Sequence, residues 1–173
     1  MKVIVFGATG MVGQGVLREC LLDSDVSMNE TDYARVTYDF TLAAAKALAK
    51  VNPRMTFIYV SGAGTDSSEK GRSMWARVKG RTENALLALP FKATFMFRLG
   101  FIQPMHGIVS KTKLYRVVYT ISAPLFPVLN AAFPKAVTTS ERVGRAMLAV
   151  AKRGFGKTLL ENADINALAA GSA

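Results

Sequence analysis

Short apolar runs that end in glycine, proline or polar residues recur along the chain, and each of them predicts a buried β-strand. Four runs have this character, at residues 3–6, 55–60, 93–97 and 158–160. Between them lie longer segments in which apolar residues recur at the spacing of a helix. Strands that alternate with helices are typical of an α/β fold with a parallel sheet.

The longest helical pattern covers residues 33–50, after a polar segment typical of a helix cap and before a break at Asn52–Pro53. Its expected buried face comprises Val36, Phe40, Ala44, Ala47 and Leu48. Two further helices are predicted, one over residues 73–89 and one from a cap at Ser140 or Glu141 through Ala151.

One strand is missing from this alternation. A first helix should end near residues 23–25, yet the next predicted element is the helix over residues 33–50. Neighbouring parallel strands are joined through a helix, so two successive helices need a strand between them. We therefore expect a segment to be absent between Val26 and Ser27. An ordinary Cα spacing of about 3.8 Å between these residues would contradict that expectation.

The composition favours one globular domain over residues 1–173, because 50% of the residues are apolar and 20% are charged. Cys20 is the only cysteine, which excludes an internal disulfide and favours a reducing, cytoplasmic compartment. The formal net charge is +10, but the basic residues are spread along the chain without a recognisable nucleic-acid motif. A nucleic-acid partner is therefore not expected.

Residues 104–136 form a separate region of the predicted domain. Their stretch from 117 to 134 carries no charge and contains Pro124 and Pro127. Because internal prolines interrupt a helix, a membrane-spanning segment is not expected here. A lid over a ligand, a subunit contact and a membrane-surface segment stay open, with a lid or contact favoured. The oligomeric state is also open, and a homodimer is one of its alternatives.

The first apolar run leads into a turn with Gly7, Gly10 and Gly13. Glycines at this spacing permit a tight turn, close approach of a pyrophosphate to the backbone and close packing of the next helix. Phosphate then lies at a helix N-terminus, where free N–H groups and the helix dipole favour an anion. The turn predicts a dinucleotide-phosphate site. A glycine-rich turn without a ligand is the alternative.

The order of several motifs resembles the short-chain dehydrogenase/reductase superfamily. They are the glycine turn, the strand end Val60–Ser61, Lys79, the Phe97–Gly100 segment and the late helix after Thr139. More narrowly, the chain is similar to the atypical, NAD-dependent epimerase-like or NmrA-like branch. The resemblance implies a Rossmann-like, doubly wound parallel sheet in three α/β/α layers that binds NAD or NADP.

In that superfamily a strand-end serine, a tyrosine and a lysine four residues after the tyrosine carry the chemistry. The resemblance assigns the serine to Ser61 and the lysine to Lys79, but Trp75 occupies the tyrosine position. An indole N–H donates a hydrogen bond and does not exchange a proton near neutral pH. We therefore expect weak or altered activity. Leu99 is a second, milder departure, because the family usually has proline there.

The resemblance also assigns the cofactor contacts. They are Gly7, Thr9, Gly10, Met11, Val12, Gly13, Lys79, Leu99, Gly100, Phe101 and Ile102. His106 and Gln103 are weaker candidates near the expected substrate pocket, and no metal site is predicted. Two functions follow as hypotheses. One is an oxidoreductase or epimerase-like enzyme on an unknown small carbonyl or hydroxyl compound, and the other is a non-catalytic NAD(P)-sensing or scaffold protein.

Overall fold

The computed structural model describes residues 29–103 and 137–171. The glycine turn, the break expected between Val26 and Ser27, and the 104–136 region lie outside the described residues. In chain order the elements are α1 (Glu30–Ala34), a π-helical segment (Arg35–Asp39), α2 (Phe40–Val51), β1 (Thr56–Gly62), α3 (Met74–Leu87), β2 (Ala93–Leu99), β3 (Phe101–Gln103), β4 (Val137–Thr139), α4 (Ser140–Arg153), β5 (Leu159–Glu161) and α5 (Asn162–Ala170).

The first helical region begins with an N-cap at Asn29, whose side chain accepts a hydrogen bond from the backbone N–H of Asp32. It then runs through the π-helical segment into α2. The helical region therefore covers residues 30–51 and includes the helix predicted over residues 33–50. The predicted buried face is wrong, because Phe40 is 59% exposed while Ala45 and Ala49 are buried. A π turn is wider than an α turn, so it rotates every later residue relative to a pattern read at 3.6 residues per turn.

The described part of the chain has a mixed α/β structure in which the strand pairings are parallel. β2 lies between β1 and β5, and a separate two-stranded sheet contains β3 and β4. The predicted strands at 55–60, 93–97 and 158–160 are thus present, whereas β3, β4 and α5 were not anticipated from the sequence. Three-residue strands carry too few residues to show a period.

Strand alternation gives β2 two buried faces. Phe95, Phe97 and Leu99 pack with residues of α4 and α5, including Val150 and Ile165. Met96, on the opposite face, packs with Ala45 of α2 and Leu86 of α3. Because successive strand residues point to opposite sides, Arg98 projects from the same face as Met96. This places a charged side chain of β2 beneath α3.

The N-cap of α4 lies one residue before the first of the two predicted cap positions. Thr139 is the N-cap of α4, and its hydroxyl accepts a hydrogen bond from the backbone N–H of Arg142 at 3.1 Å. Ser140, one of the two predicted caps, is the first residue of the helix. Within the two described ranges, none of the helices combines the length and apolar character needed to cross a membrane.

The loop after β1 lies against α3 at Gly80. A Cβ added to Gly80 would lie 1.7 Å from the backbone carbonyl oxygen of Asp66. The loop and the helix are also joined by a hydrogen bond from the backbone N–H of Asp66 to the carbonyl oxygen of Ala76, at 3.1 Å. Glycine is therefore required at residue 80, because any side chain would separate the loop from the helix.

We expect Gly80→Ala to destabilise the protein by about 3 kcal/mol or more, since backbone rather than a flexible side chain must move. The measurement is the free energy of unfolding in urea. Gly144→Ala in α4 is the matched control, because nothing lies within 4 Å of the added Cβ. This control should be neutral or stabilising by about 0.5–1 kcal/mol. Equal effects of the two substitutions would contradict the close approach described here.

Candidate functional site

The candidate site lies at the carboxyl ends of β1 and β2. These strands pair in parallel, with Ser61 opposite Arg98 and Gly62 opposite Leu99. The pairing continues into the loop, where the backbone N–H of Ala63 donates to the carbonyl oxygen of Leu99 at 2.9 Å. Parallel α/β proteins place their ligands at this end of the strands. Two predicted site segments, around Ser61 and around Leu99, are thus brought together.

Trp75 and Lys79 lie over this end of β1. The indole is 3.7 Å from the position that a Cβ at Gly62 would occupy, and the Nζ of Lys79 is 3.9 Å from it. Gly64 has a φ of 86° and also packs against Trp75. The Nζ of Lys79 lies 5.8 Å from the centroid of the Trp75 ring, within the range of a cation–π contact. The spacing of four residues therefore brings both side chains to the strand end.

Beneath them lies a buried ionic cluster that we did not anticipate. Glu83 is fully buried in α3, and Ser61 donates a hydrogen bond to its Oε1 at 2.5 Å. Arg98 donates from Nε to both carboxylate oxygens at 3.1 Å and from Nη2 to Oε2 at 2.5 Å. The hydrogen bonds with Glu83 raise the pKa of Arg98 above its usual value. The guanidinium therefore stays charged opposite the carboxylate.

The sequence contained one signal for this cluster. Glu83 follows Lys79 by four residues, as Lys79 follows Trp75, so the three side chains lie in one row along α3. A carboxylate in a row that otherwise faces the strands requires a partner, because an unpaired buried charge is strongly unfavourable. Arg98, at the end of the next predicted strand, is that partner.

The loop at residues 61–71 is fixed by several polar contacts. The Asp66 carboxylate accepts hydrogen bonds from the hydroxyl of Ser68 at 2.6 Å and from the backbone N–H of Gly71 at 2.6 Å. These hydrogen bonds, with that from Ser68 the larger cause, lower the pKa of Asp66. Asn84 of α3 donates to the carbonyl oxygen of Ser67, and Arg98 donates to its hydroxyl. The loop is thereby attached to both α3 and β2.

The predicted nicotinamide-lining residues occupy different environments. Leu99 is buried in the core between β2 and the last helices. The backbone N–H of Gly100 donates to the side chain of Asn162 at 3.2 Å, and Phe101 is 37% exposed. Ile102 packs against the same core. Of the four, Gly100 and Phe101 present the most surface at this end of the sheet.

The other candidates either lie outside the described residues or belong to other parts of the strands. The six glycine-turn residues and His106 lie outside the described residues. Gln103 ends β3, which pairs with β4. Tyr59 lies in β1, where burial, followed by the nearby Tyr33 and Glu83, raises the pKa of its phenol. Tyr59 is therefore unsuited to replace the missing tyrosine, because burial disfavours ionisation of its hydroxyl and because it lies in β1, not on the helix that carries Lys79.

No protein-family model matches this chain, and no curated protein matches it either. The residues of the site must therefore carry the functional interpretation. They supply an ammonium group beside an indole at a strand end with two glycines, supported from below by a buried ion pair. Such an arrangement suits an anionic or hydroxyl-rich ligand with a planar group, because it combines a cation, close backbone approach and an aromatic surface.

We expect Arg98→Met to destabilise the protein by about 3–5 kcal/mol, because it leaves the Glu83 carboxylate buried without its counter-charge. The free energy of unfolding in urea measures the effect. Arg145→Met is the matched control, since Arg145 forms an exposed pair with Glu141 one helical turn away. Its loss should change stability by no more than about 0.5 kcal/mol. A loss for Arg98→Met as small as that of the control would contradict the buried pair.

Proposed function

We propose that this chain is an NAD(P)-binding protein of the atypical short-chain dehydrogenase/reductase type, with a Rossmann-like, doubly wound sheet. The observation that carries the proposal is the position of Lys79. Its Nζ lies at the carboxyl end of a parallel strand, beside Gly62 and Trp75. The order of the sequence motifs supports the same interpretation. The parallel β1–β2–β5 sheet, with helices packed on both faces of β2, is compatible with it.

The residues present fit a nicotinamide nucleotide in three respects. Lys79 provides a cation that would hold the hydroxyls of the nicotinamide ribose. Gly62 and Gly64 place no side chain beneath the indole, where a Cβ at Gly62 would contact Trp75 and Lys79. Gly100 and Phe101 would contact the nicotinamide, and the glycine turn at residues 7–13 would bind the pyrophosphate. When bound, the nucleotide supplies the capacity to donate or accept hydride.

Two features favour binding over efficient turnover. Trp75 has no group that exchanges a proton near neutral pH. The Ser61 hydroxyl, which the family uses to orient the substrate oxygen, donates a hydrogen bond to Glu83 instead. These residues support the second candidate, a protein that binds the nucleotide and reports its presence to a partner. The first candidate is a weak oxidoreductase or epimerase-like enzyme that acts on a small carbonyl or hydroxyl compound. It is supported by Lys79, and the bound nicotinamide nucleotide would supply the hydride.

Nucleotide binding should change the emission of Trp75, the only tryptophan of the chain, because the indole lies beside the proposed nicotinamide site. We expect quenching on titration with NADH or NADPH. Lys79→Met should raise the Kd about tenfold through loss of a charged hydrogen bond. Lys92→Met is the control, since Lys92 lies just before β2, at the opposite end of the sheet. If neither nucleotide alters the emission, the proposed function is wrong.

Trp75→Tyr restores the proton-exchanging group and should increase turnover of aldehydes, ketones or quinones by about 10²- to 10⁴-fold. Oxidation of the reduced nicotinamide, followed by its absorbance, gives the rate. Trp75→Phe is the matched control, because it retains an aromatic ring without a hydroxyl and should not gain activity. An equal gain in the two variants would contradict the assignment of residue 75 to the tyrosine position. Unaltered binding with no gain in either would leave the sensing function as the better interpretation.

A further inference from the structure

We propose that Glu83 is a positioning residue of the nucleotide site. It joins α3 to the ends of β1 and β2, and so fixes Trp75 and Lys79 over Gly62. This inference rests on the proposed function, because the site that it supports is the proposed nicotinamide end. It adds a role that the resemblance does not assign to this residue.

Glu83 lies where α3 meets the ends of β1 and β2. Glu83 contacts Ser61, the residue immediately before Gly62, and Arg98, the residue paired with Ser61 across the strands. One carboxylate therefore links three elements at the level of the strand ends. Since Trp75, Lys79 and Glu83 occupy one row of α3, the position of Glu83 sets the rotation of the helix about its axis. That rotation determines how far the Nζ of Lys79 lies from the strand end.

The ion pair also holds the loop that follows β1. Arg98 donates to the carboxylate of Glu83 and also to the hydroxyl of Ser67. The loop at residues 61–71 includes Gly64, where a Cβ would lie 3.5 Å from the Trp75 indole. The ion pair thus supports the indole from two sides, through the helix that carries it and through the loop on which it rests.

Stability alone does not account for the buried ion pair. A buried ion pair is a poor source of stability, because apolar residues of the same volume often stabilise a core as well or better. Glu83 is fully buried, so its desolvation is complete. The pair instead fixes the orientation of α3 on the strands. Its four hydrogen bonds from Ser61 and Arg98 permit one arrangement of α3 on the strands, whereas apolar packing permits several.

The experiment compares Glu83→Gln and Ser61→Ala with the wild-type chain. The Kd for NADH and NADPH is measured by the fluorescence of the reduced nicotinamide, and folding is measured by circular dichroism at the same temperature. We expect the Kd to rise about tenfold in Glu83→Gln, the scale found for residues that orient ligand-binding side chains. Ser61→Ala keeps the Glu83–Arg98 pair and should raise the Kd by a smaller factor. Both variants should shift the Trp75 emission to longer wavelength in the free protein.

Glu141→Gln is the matched control. It removes a carboxylate of the same size from the exposed Glu141–Arg145 pair on α4 and should alter neither the Kd nor the emission. Should Glu83→Gln not fold, Ser61→Ala decides the question. Wild-type binding with unchanged Kd and emission in the folded variants would overturn the positioning role alone. Absence of binding to the wild-type chain would instead overturn the proposed function and, with it, this inference.

Discussion

The buried carboxylate of Glu83 is the constraint on which the described structure most depends. A charge removed from water must be matched in sign and hydrogen-bonded, or its desolvation is uncompensated. Arg98 and Ser61 meet both requirements, and they come from adjacent strands at paired positions. Strand alternation makes this meeting possible, because it turns Ser61 and Arg98 toward α3 while Phe97 and Leu99 enter the opposite core. The ion pair and the sheet register therefore depend on each other.

The loop after β1 follows from the same arrangement. It must cross α3 closely enough for Arg98 to reach Ser67, and Gly80 permits that approach because it has no side chain. Asp66 then closes the loop on itself through Ser68 and Gly71. The carboxyl end of β1 is thereby bounded by a fixed loop on one side and by Trp75 and Lys79 on the other. Such preorganisation reduces the entropy that a ligand would lose in ordering its site.

The chemistry of the site is consistent with recognition more than with proton transfer. Lys79 and the indole provide charge and a planar surface, both of which act on a bound ligand without exchanging protons. Within the described residues, the hydroxyl and the phenol nearest this strand end are committed elsewhere. The Ser61 hydroxyl donates a hydrogen bond to Glu83, and Tyr59 lies in a strand where burial raises the pKa of its phenol. For the proposed NAD(P)-binding function, these residues place binding ahead of turnover.

The sequence by itself determined the alternation of strands and helices around residues 56–99, the parallel class of the sheet and the location of a polar loop after residue 60. These features depend on local periodicity and on residues that are near neighbours in the chain. The buried face of α2 could be identified only from the tertiary structure, because one π turn rotates every later residue about the helix axis. The Glu83 cluster and the close approach at Gly80 could also be identified only from the tertiary structure, since Glu83 and Gly80 contact residues that are 14 to 22 positions away in the chain. Spacing along the chain brings Trp75 to Lys79, but only the packing of α3 on two paired strands decides what lies beneath them.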